Sequence, residues 1–526
     1  MKRFFTFFKN HQSLIATFII ILGLSLRLYR FNELFYYAID EEKGLYIIRG
    51  ITTATHFPTV GHPSSIGFRL GPLLYYLLAP VYKIFRQSPL VWGYISVLAS
   101  IFTMILIYQI GKRISNVAGL LALAFYSFSY FTVLYDRRGW QVSFHSLIAL
   151  TIFYSLLKLK KGSVSWLFIL IFALIAASQF EVATLLFIPF VIIAFLLFHI
   201  PLTRKQLAFC LVVFLLSQSG LILFDIRHQF LNTRYFINYF RPQENIRIER
   251  NVPLTGLRSS YLAHNLIPGT LTRAIFPFGS PNLAIQYANC PQYLSSKQNQ
   301  IPFLFEIPVM AILLFGAKNA WDKRHDKKEP SQIIVLCVVL FTIYFSALSI
   351  YTYIFQGEMA EYYLIPTFSF FFIVTSYFLS LLFNARMKWG VILGVFLFAF
   401  FNIYKLLISE NSYGFKQKID AVKYALSKVD NKPFRLNSFQ TCWYSGGYRY
   451  LFTMFGKEPT ISYMDQYFLE YYTPDKITLP QYDVTILTPE LVGDTPKGYK
   501  EYRDLIRSKA DFRNQFGEIE VYIKKI

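Results

Sequence analysis

The chain is built around stretches of about twenty apolar residues with few charges among them, the length that crosses a hydrocarbon core of about 30 Å. They run near residues 12–30, 69–86, 89–110, 117–135, 141–158, 164–180, 181–199, 206–224, 301–317, 331–355, 361–383 and 388–408. Backbone surrounded by lipid must satisfy its own N–H and C=O groups, so blocks of this length are expected to be helices. Composition agrees. Charged residues make up 16% and apolar residues 54% of the chain, whereas a soluble domain keeps about a quarter of its residues charged.

The formal charge of +22 is carried largely by short loops between these blocks, which reads as topology control rather than polyanion binding, and no nucleic-acid partner is expected. Lys2/Arg3/Lys9, Lys112/Arg113, Lys158/Lys160/Lys161, Arg204/Lys205, Lys318 to Lys328 and Arg386/Lys388 can share the cytoplasmic side only if the block at 69–86 does not cross. That block is interrupted by Gly71-Pro72 and Pro80 and flanked by Arg69, Lys83 and Arg86. It reads as an interfacial or re-entrant helix, which leaves about eleven spans, the N-terminus inside and the C-terminus outside. No small-residue cleavage site follows the first block, so it reads as a retained anchor. The four cysteines are scattered and read as free thiols, with a Cys290–Cys442 disulfide as the alternative.

The threading divides the chain into a transmembrane module, 1–408, with external loops at 31–89 and 225–300, and an external soluble α/β domain, 409–526. In that tail, apolar spacing predicts a helix over 415–427, a buried strand over 482–488 and a half-exposed strand over 518–524. Gly446-Gly447 reads as a turn, because no Lys-bearing strand–loop–helix pattern surrounds it. The fold expected is an α-helical polytopic membrane protein with external interfacial helices and a small C-terminal α/β domain. No Walker loop, zinc-spaced His/Cys cluster or Gly-x-Ser-x-Gly elbow occurs, which removes any basis for a nucleotide-driven pump or a serine hydrolase.

Chemistry is expected among charges at the external boundary. Asp40-Glu41-Glu42 lies shortly after the first block, in a Tyr- and Phe-rich loop. The cluster reads either as a solvated loop or as a general base, since a carboxylate raised in pKa by low-dielectric surroundings accepts a proton from a hydroxyl. Arg69 opens the interfacial segment RLGPLLYY, as a phosphate ligand or as an interface anchor. The turn Tyr135-Asp136-Arg137-Arg138-Gly139-Trp140 offers two guanidinium groups that could neutralise a leaving phosphate or serve only as anchors. Gln179 and Glu181 sit where two blocks meet almost without a loop, and Glu358 and Glu361-Tyr362-Tyr363 form a similar turn. Each acid is either a partner of the external arginines or a substrate-facing group.

The order of these parts resembles the GT-C fold of membrane glycosyltransferases: a first span, an external loop with Asp-Glu, a "GPLLYYLLAP" helix and an "RRGW" turn. The likeness is strongest to bacterial members of the protein O-mannosyltransferase and lipid A aminoarabinose transferase group, and covers roughly residues 12–400. Such enzymes take a sugar from a polyprenyl-phosphate carrier on the side of the membrane away from the cytoplasm. The resemblance implies Asp40 as the base on the acceptor hydroxyl, with Glu41 matching the Glu that follows it in the mannosyltransferases. It matches Arg137 to the arginine three residues before the tryptophan in many bacterial relatives, and places Arg69 near, though not at, the basic residue that precedes the proline of the interfacial helix in the aminoarabinose enzymes. "LLFDIRHQFLNTR", with Asp225, Arg227 and His228, also looks like a recurrent external segment of those relatives. Where some members carry a second acid after the tryptophan this chain has Gln141, so Asp136, Glu181 or Glu361 would have to substitute.

The expected function is therefore inverting transfer of a sugar from a polyprenyl-phosphate donor to an external lipid, glycan or protein acceptor. Arg69, Arg137 and Arg138 would meet the departing phosphate, so no cofactor is required, with a divalent cation at Asp40/Glu41 as a variant. Further residues expected to bind substrate or supply a second acid are Asp136, Glu181, Asp225, Arg227, His228, Glu361 and Tyr362. The rivals are a transporter or flippase of lipid-linked sugars, for which no paired repeats are visible, and a non-catalytic envelope scaffold.

Overall fold

The computed structural model describes residues 11–64, 67–85, 87–240, 268–277, 303–353, 361–411, 413–439, 446–468, 470–472, 478–488 and 498–526. Cys290, Cys442, Glu358 and the side chain of Glu361 lie outside the described residues; Cys210 and Cys337 are free thiols. The chain runs as helices α1 (Gln12–Leu28), α2 (Phe31–Leu34), α3 (Ile39–Thr52), α4 (Leu73–Ile84), α5 (Leu90–Ile114), α6 (Asn116–Phe128), α7 (Tyr130–Asp136), α8 (His145–Lys160) and α9 (Trp166–Phe180). There follow α10 (Phe187–Phe198), α11 (Arg204–Ser217), α12 (Ser219–Arg227), α13 (Leu231–Phe240), α14 (Pro268–Ile275), α15 (Glu306–Asp322), α16 (Glu329–Tyr353), α17 (Ile365–Leu382) and α18 (Lys388–Leu407).

Among the described residues five helices are long and apolar enough to cross a membrane, or up to seven if each of two bent pairs counts as one span. The expected count of about eleven is therefore not reached by length and composition. The helices over Gln12–Leu28, Trp166–Phe180 and Val182–Phe198 have fewer than 18 residues, and at 1.5 Å per residue they fall short of a 30 Å core. The segment that the basic loops kept out of the membrane is a helix of 12 residues, α4, too short to span.

The apolar block at 117–135 is not one straight helix. It bends by 64° between α6 and α7, and the polar groups freed at the break find partners. The Tyr130 N–H donates to Asn402 Oδ1 at 2.9 Å, and Asn402 Nδ2 donates to the carbonyls of Ile275 and Phe398. Broken helices persist in apolar surroundings when neighbours re-satisfy the backbone in this way. α18 turns Leu393, Phe396, Phe400 and Phe401 outward, an apolar face suited to lipid. At one end of the bundle Arg113 and Lys161 both reach Glu329, at 2.5 and 2.8 Å. Three of the basic loops thus gather at a single end, as the charge pattern required.

Beyond α18, helices α19 (Phe415–Val429), α20 (Tyr448–Met454), α21 (Asp465–Phe468) and α22 (Tyr499–Lys509) accompany strands β1 (Phe434–Asn437), β2 (Ile461–Ser462), β3 (Tyr482–Leu487), β4 (Phe512–Phe516) and β5 (Ile519–Lys525). The sheet order is β2-β1-β3-β5-β4. β1 pairs in parallel with β2 and β3, while β5 pairs antiparallel with β3 and β4. Central β3 is apolar on both faces (Val484, Ile486 and Leu487 are buried), as a covered strand must be. The helix and both strands expected from periodicity are present here.

This domain is docked on the segment that follows α1. Phe415 packs edge-on against Phe35 and Tyr37, and its N–H donates to the Phe35 carbonyl at 3.2 Å. Buried Lys418 donates to the carbonyls of Tyr37 and Gly446 at 2.8 and 2.7 Å. Gly447 has φ of +97°, and a Cβ there would lie 2.8 Å from the Tyr37 ring. The position needs glycine both for its backbone conformation and for the closeness of the seam.

Candidate active site

The three adjacent acids are the first turn of helix α3, not a loop. Carboxylates are favoured there, where the unpaired N–H groups and the helix dipole present positive charge. Glu41 also reaches back, its Oε2 accepting the Ala38 N–H at 3.0 Å, the carboxylate half of a capping box. Because successive helical residues turn by about 100°, the three side chains diverge to three different surroundings.

Glu41 faces the "RRGW" turn. Its Oε1 accepts from Arg138 Nε at 2.5 Å, with both side chains buried. Arg138 also lies 4.1 Å over the Tyr36 ring and 3.9 Å over Trp140, a cation–π clamp that fixes its plane. Burial works to lower the Arg138 pKa, but the Glu41 carboxylate outweighs it and holds the guanidinium charged. Its Nη1 and Nη2 are buried without a hydrogen-bond partner among the described residues. Glu42 faces the C-terminal domain, accepting the N–H groups of Gly447 and Tyr450 at 2.8 Å each. Asp40 faces neither. Its carboxylate has no hydrogen-bond partner among the described residues, and its charge acts on His62, Tyr75, Glu181, Tyr362 and Arg138.

Arg137 turns the other way. Its Nη2 donates to the Tyr29 carbonyl at 2.9 Å, while Nε and Nη1 are buried without partners among the described residues. Burial brings its pKa down to about 10, and Arg27 and Arg30 push in the same direction. Asp136 is committed to the bundle. Arg27 Nε and Nη2 donate to its Oδ2 at 2.9 and 2.6 Å, and the Tyr126 hydroxyl donates to its Oδ1 at 2.9 Å. Arg69 is gripped by both oxygens of Glu470 from the C-terminal domain, at 2.6 and 2.7 Å. It is thus an ion-pair partner here and not joined to Arg137 or Arg138 through a shared ligand.

Residues 62–223 match the family model described as dolichyl-phosphate-mannose-protein mannosyltransferase, so the resemblance read from the sequence holds. The chain is a membrane glycosyltransferase. The oligosaccharyltransferase of Archaeoglobus fulgidus, tethered to an acceptor peptide, is similar in structure at 12% identity and a TM-score of 0.50, over 91% of this chain and 69% of that one. At that identity the likeness speaks for the fold alone. ArnT from Cupriavidus metallidurans bound to undecaprenyl phosphate aligns over 97% of both chains, at 9% identity and a TM-score of 0.48. No curated protein matches the sequence.

Other residues of this glycosyltransferase expected at the site are placed as follows. Glu181 lies at the junction of α9 and α10, its Oε1 accepting the Val182 N–H at 2.9 Å. Burial, with the Asp40 charge adding, raises its pKa to about 7. Tyr362 packs edge-on against Trp140 at 4.8 Å. Asp225 caps α13, its Oδ1 accepting the Asn232 N–H at 2.8 Å, and Arg227 is exposed. His228 stacks on Phe224, which also carries the Arg69 guanidinium at 5.3 Å. Asn232 Oδ1 accepts the Arg69 N–H at 2.9 Å. The recurrent segment after residue 220 therefore pins Arg69 instead of entering the space around Asp40.

Three residues near Asp40 were not singled out from the sequence as a group. His62 Nδ1 lies 2.5 Å from the Tyr75 hydroxyl and its Nε2 lies 3.4 Å from the Gln141 side chain. Burial lowers its pKa to about 4, so the ring is neutral, with one nitrogen donating and one accepting. His62 stands a few residues before Arg69, a proximity that was the available signal. Among the described residues no group of three His, Cys, Asp or Glu is placed to hold a metal. The two Glu41 oxygens accept from Arg138 and from the Ala38 N–H.

Proposed function

We propose that this glycosyltransferase moves a sugar from a polyprenyl-phosphate donor to the hydroxyl of a lipid, glycan or protein acceptor, on the side of the membrane that carries the C-terminal domain. The observation that supports it is an uncommitted carboxylate, Asp40, one residue from an acid that holds Arg138 with two buried and unpartnered N–H-bearing nitrogens. Unpartnered charged donors in a low-dielectric site are costly to leave empty and well suited to an incoming anion.

Asp40 takes the proton from the acceptor hydroxyl as that oxygen attacks the anomeric carbon. The bond from that carbon to the phosphate oxygen breaks, and its electron pair stays on the phosphate. Arg138 meets the new charge, with Arg137 on the other side of the turn, and the anomeric configuration inverts. Glu41 holds Arg138 in place, since an arginine fixed before the reaction costs no reorganisation during it. Glu181, whose carboxyl is raised to about 7 by burial with the Asp40 charge adding, is the candidate second acid. Arg69 joins the phosphate only by releasing Glu470.

The test is transfer from purified polyprenyl-phosphate sugar by the detergent-solubilised Asp40→Asn protein. Loss of a general base costs about 10²- to 10⁴-fold in rate. Full activity in this variant would overturn the mechanism.

A further inference from the structure

The C-terminal domain brings two neighbouring tyrosines to the segment that follows α1, and they differ in one respect. The Tyr472 hydroxyl donates to Asp465 at 2.7 Å, and its ring is covered by Arg449 at 3.8 Å and by Tyr46. Everything Tyr472 offers is used in holding the domain together and docking it. The Tyr471 ring packs on Phe468 and its backbone N–H donates to the Phe468 carbonyl at 2.8 Å. Its hydroxyl, however, is buried with no partner among the described residues.

The place of that hydroxyl is set by the residue before it. Glu470 holds Arg69 through both carboxylate oxygens, at 2.6 and 2.7 Å. Arg69 is in turn fixed by the bridge Pro63–Arg69, next to His62 and its partner Tyr75. Tyr471 is thereby brought against the same surroundings as Asp40, and both Arg69 and Asp40 act on it electrostatically. Tyr75 in turn feels Tyr471, Asp40 and Glu181.

We infer that Tyr471 hydrogen-bonds a hydroxyl-bearing substrate in the cleft of Asp40, so that the C-terminal domain completes the active site. The inference rests on the transfer reaction proposed above. The local charge decides what kind of group is bound. Arg69 is already matched by Glu470, and the Asp40 charge lies close by, so an anion is not favoured at this spot. A neutral hydroxyl, able both to donate and to accept, is. The phosphate belongs instead at Arg138, where guanidinium nitrogens stand open. The hydroxyl bound by Tyr471 is on the donor sugar or on the acceptor, and steady-state kinetics separate the two.

The experiment is Tyr471→Phe in the full-length protein, with polyprenyl-phosphate sugar and acceptor varied in turn. Losing one hydrogen bond of ordinary strength raises KM for the substrate it contacts by about three- to tenfold. A rise confined to the donor places the contact on the sugar, and a rise confined to the acceptor places it there. Because the hydroxyl has no partner among the described residues, the thermal midpoint stays level or rises, which a merely structural tyrosine would not do. If the midpoint falls, Tyr471→p-aminophenylalanine, which restores a para donor, must bring KM back. Unchanged KM for both substrates in a folded variant overturns the inference and leaves a trapped water as the hydroxyl's partner. Absence of transfer by the wild-type protein instead overturns the reaction on which the inference rests.

Discussion

Asp40 and Glu42 are two residues apart on one helical turn, yet they belong to opposite kinds of environment. The Glu42 carboxylate is matched by two backbone N–H groups and Lys418 nearby by two carbonyls, although the Tyr37 and Tyr448 hydroxyls beside them have no partner among the described residues. Around Asp40 and Arg138 polar groups are left unmatched, with Arg138 Nη1 and Nη2, Trp140 Nε1 and the Tyr471 hydroxyl all without partners among the described residues. Folded proteins pair nearly all their buried polar groups. The Glu42 carboxylate follows that rule as a structural group, whereas the Arg138 guanidinium breaks it.

That contrast predicts opposite outcomes for neighbouring substitutions. The largest effect belongs to Asp40→Asn, which should lower transfer by about 10²- to 10⁴-fold with little change in the unfolding midpoint. If the midpoint falls as well, Asp40 is holding structure and the contrast breaks. Glu42→Ala should do the reverse. It leaves two buried N–H groups without an acceptor, worth about 2–3 kcal/mol of stability, while the kcat of the molecules that remain folded is largely kept. Thermal unfolding and single-turnover rates on the same preparation separate the two.

Glu181 sharpens the cleft side through its pH dependence. Its carboxyl titrates near 4.5 when exposed and near 7 in the folded protein. Between those values the folded state binds the extra proton, so this residue makes stability fall as pH rises from about 4.5 to 7. Glu181→Gln removes that fall. Its stability relative to wild type should grow by on the order of 3 kcal/mol across the window, at about 1.4 kcal/mol per unit, as read from denaturant unfolding at several pH values. A difference flat with pH would mean that Glu181 is ionised in the cleft. The smallest effect is expected of Glu470→Gln. Glu470 is 57% exposed, so breaking its pair with Arg69 should cost less than about 1 kcal/mol, and added salt should shrink that cost.

Much of this was legible in the chain itself. Apolar block length announced a membrane protein, and the basic loops kept α4 out of the membrane and gathered at one end of the bundle, where Glu329 meets Arg113 and Lys161. Periodicity gave the helix starting at Phe415 and the strands at Tyr482 and Ile519. The acidic triplet and the arginine pair stood out because charge at a membrane boundary is conspicuous. The span count was less legible, since apolar blocks do not reveal where a helix bends or stops short. Asp136 shows the limit most plainly. Beside Arg137 and Arg138 it looked like a member of the site, whereas its partner is Arg27, 109 positions away.

By itself, then, the sequence determined that the chain is a membrane protein, which basic loops gather at one end of the bundle, and which short segments carry the charges of the candidate site, because all of these depend on local composition and on helix or strand period. Tertiary structure alone decided that three adjacent acids have three separate tasks. Their directions follow from the helical turn, but what each one meets is brought from elsewhere: Arg138 from 97 positions away for Glu41, and Gly447 from 405 for Glu42. Asp40 is left over, with no hydrogen-bond partner among the described residues.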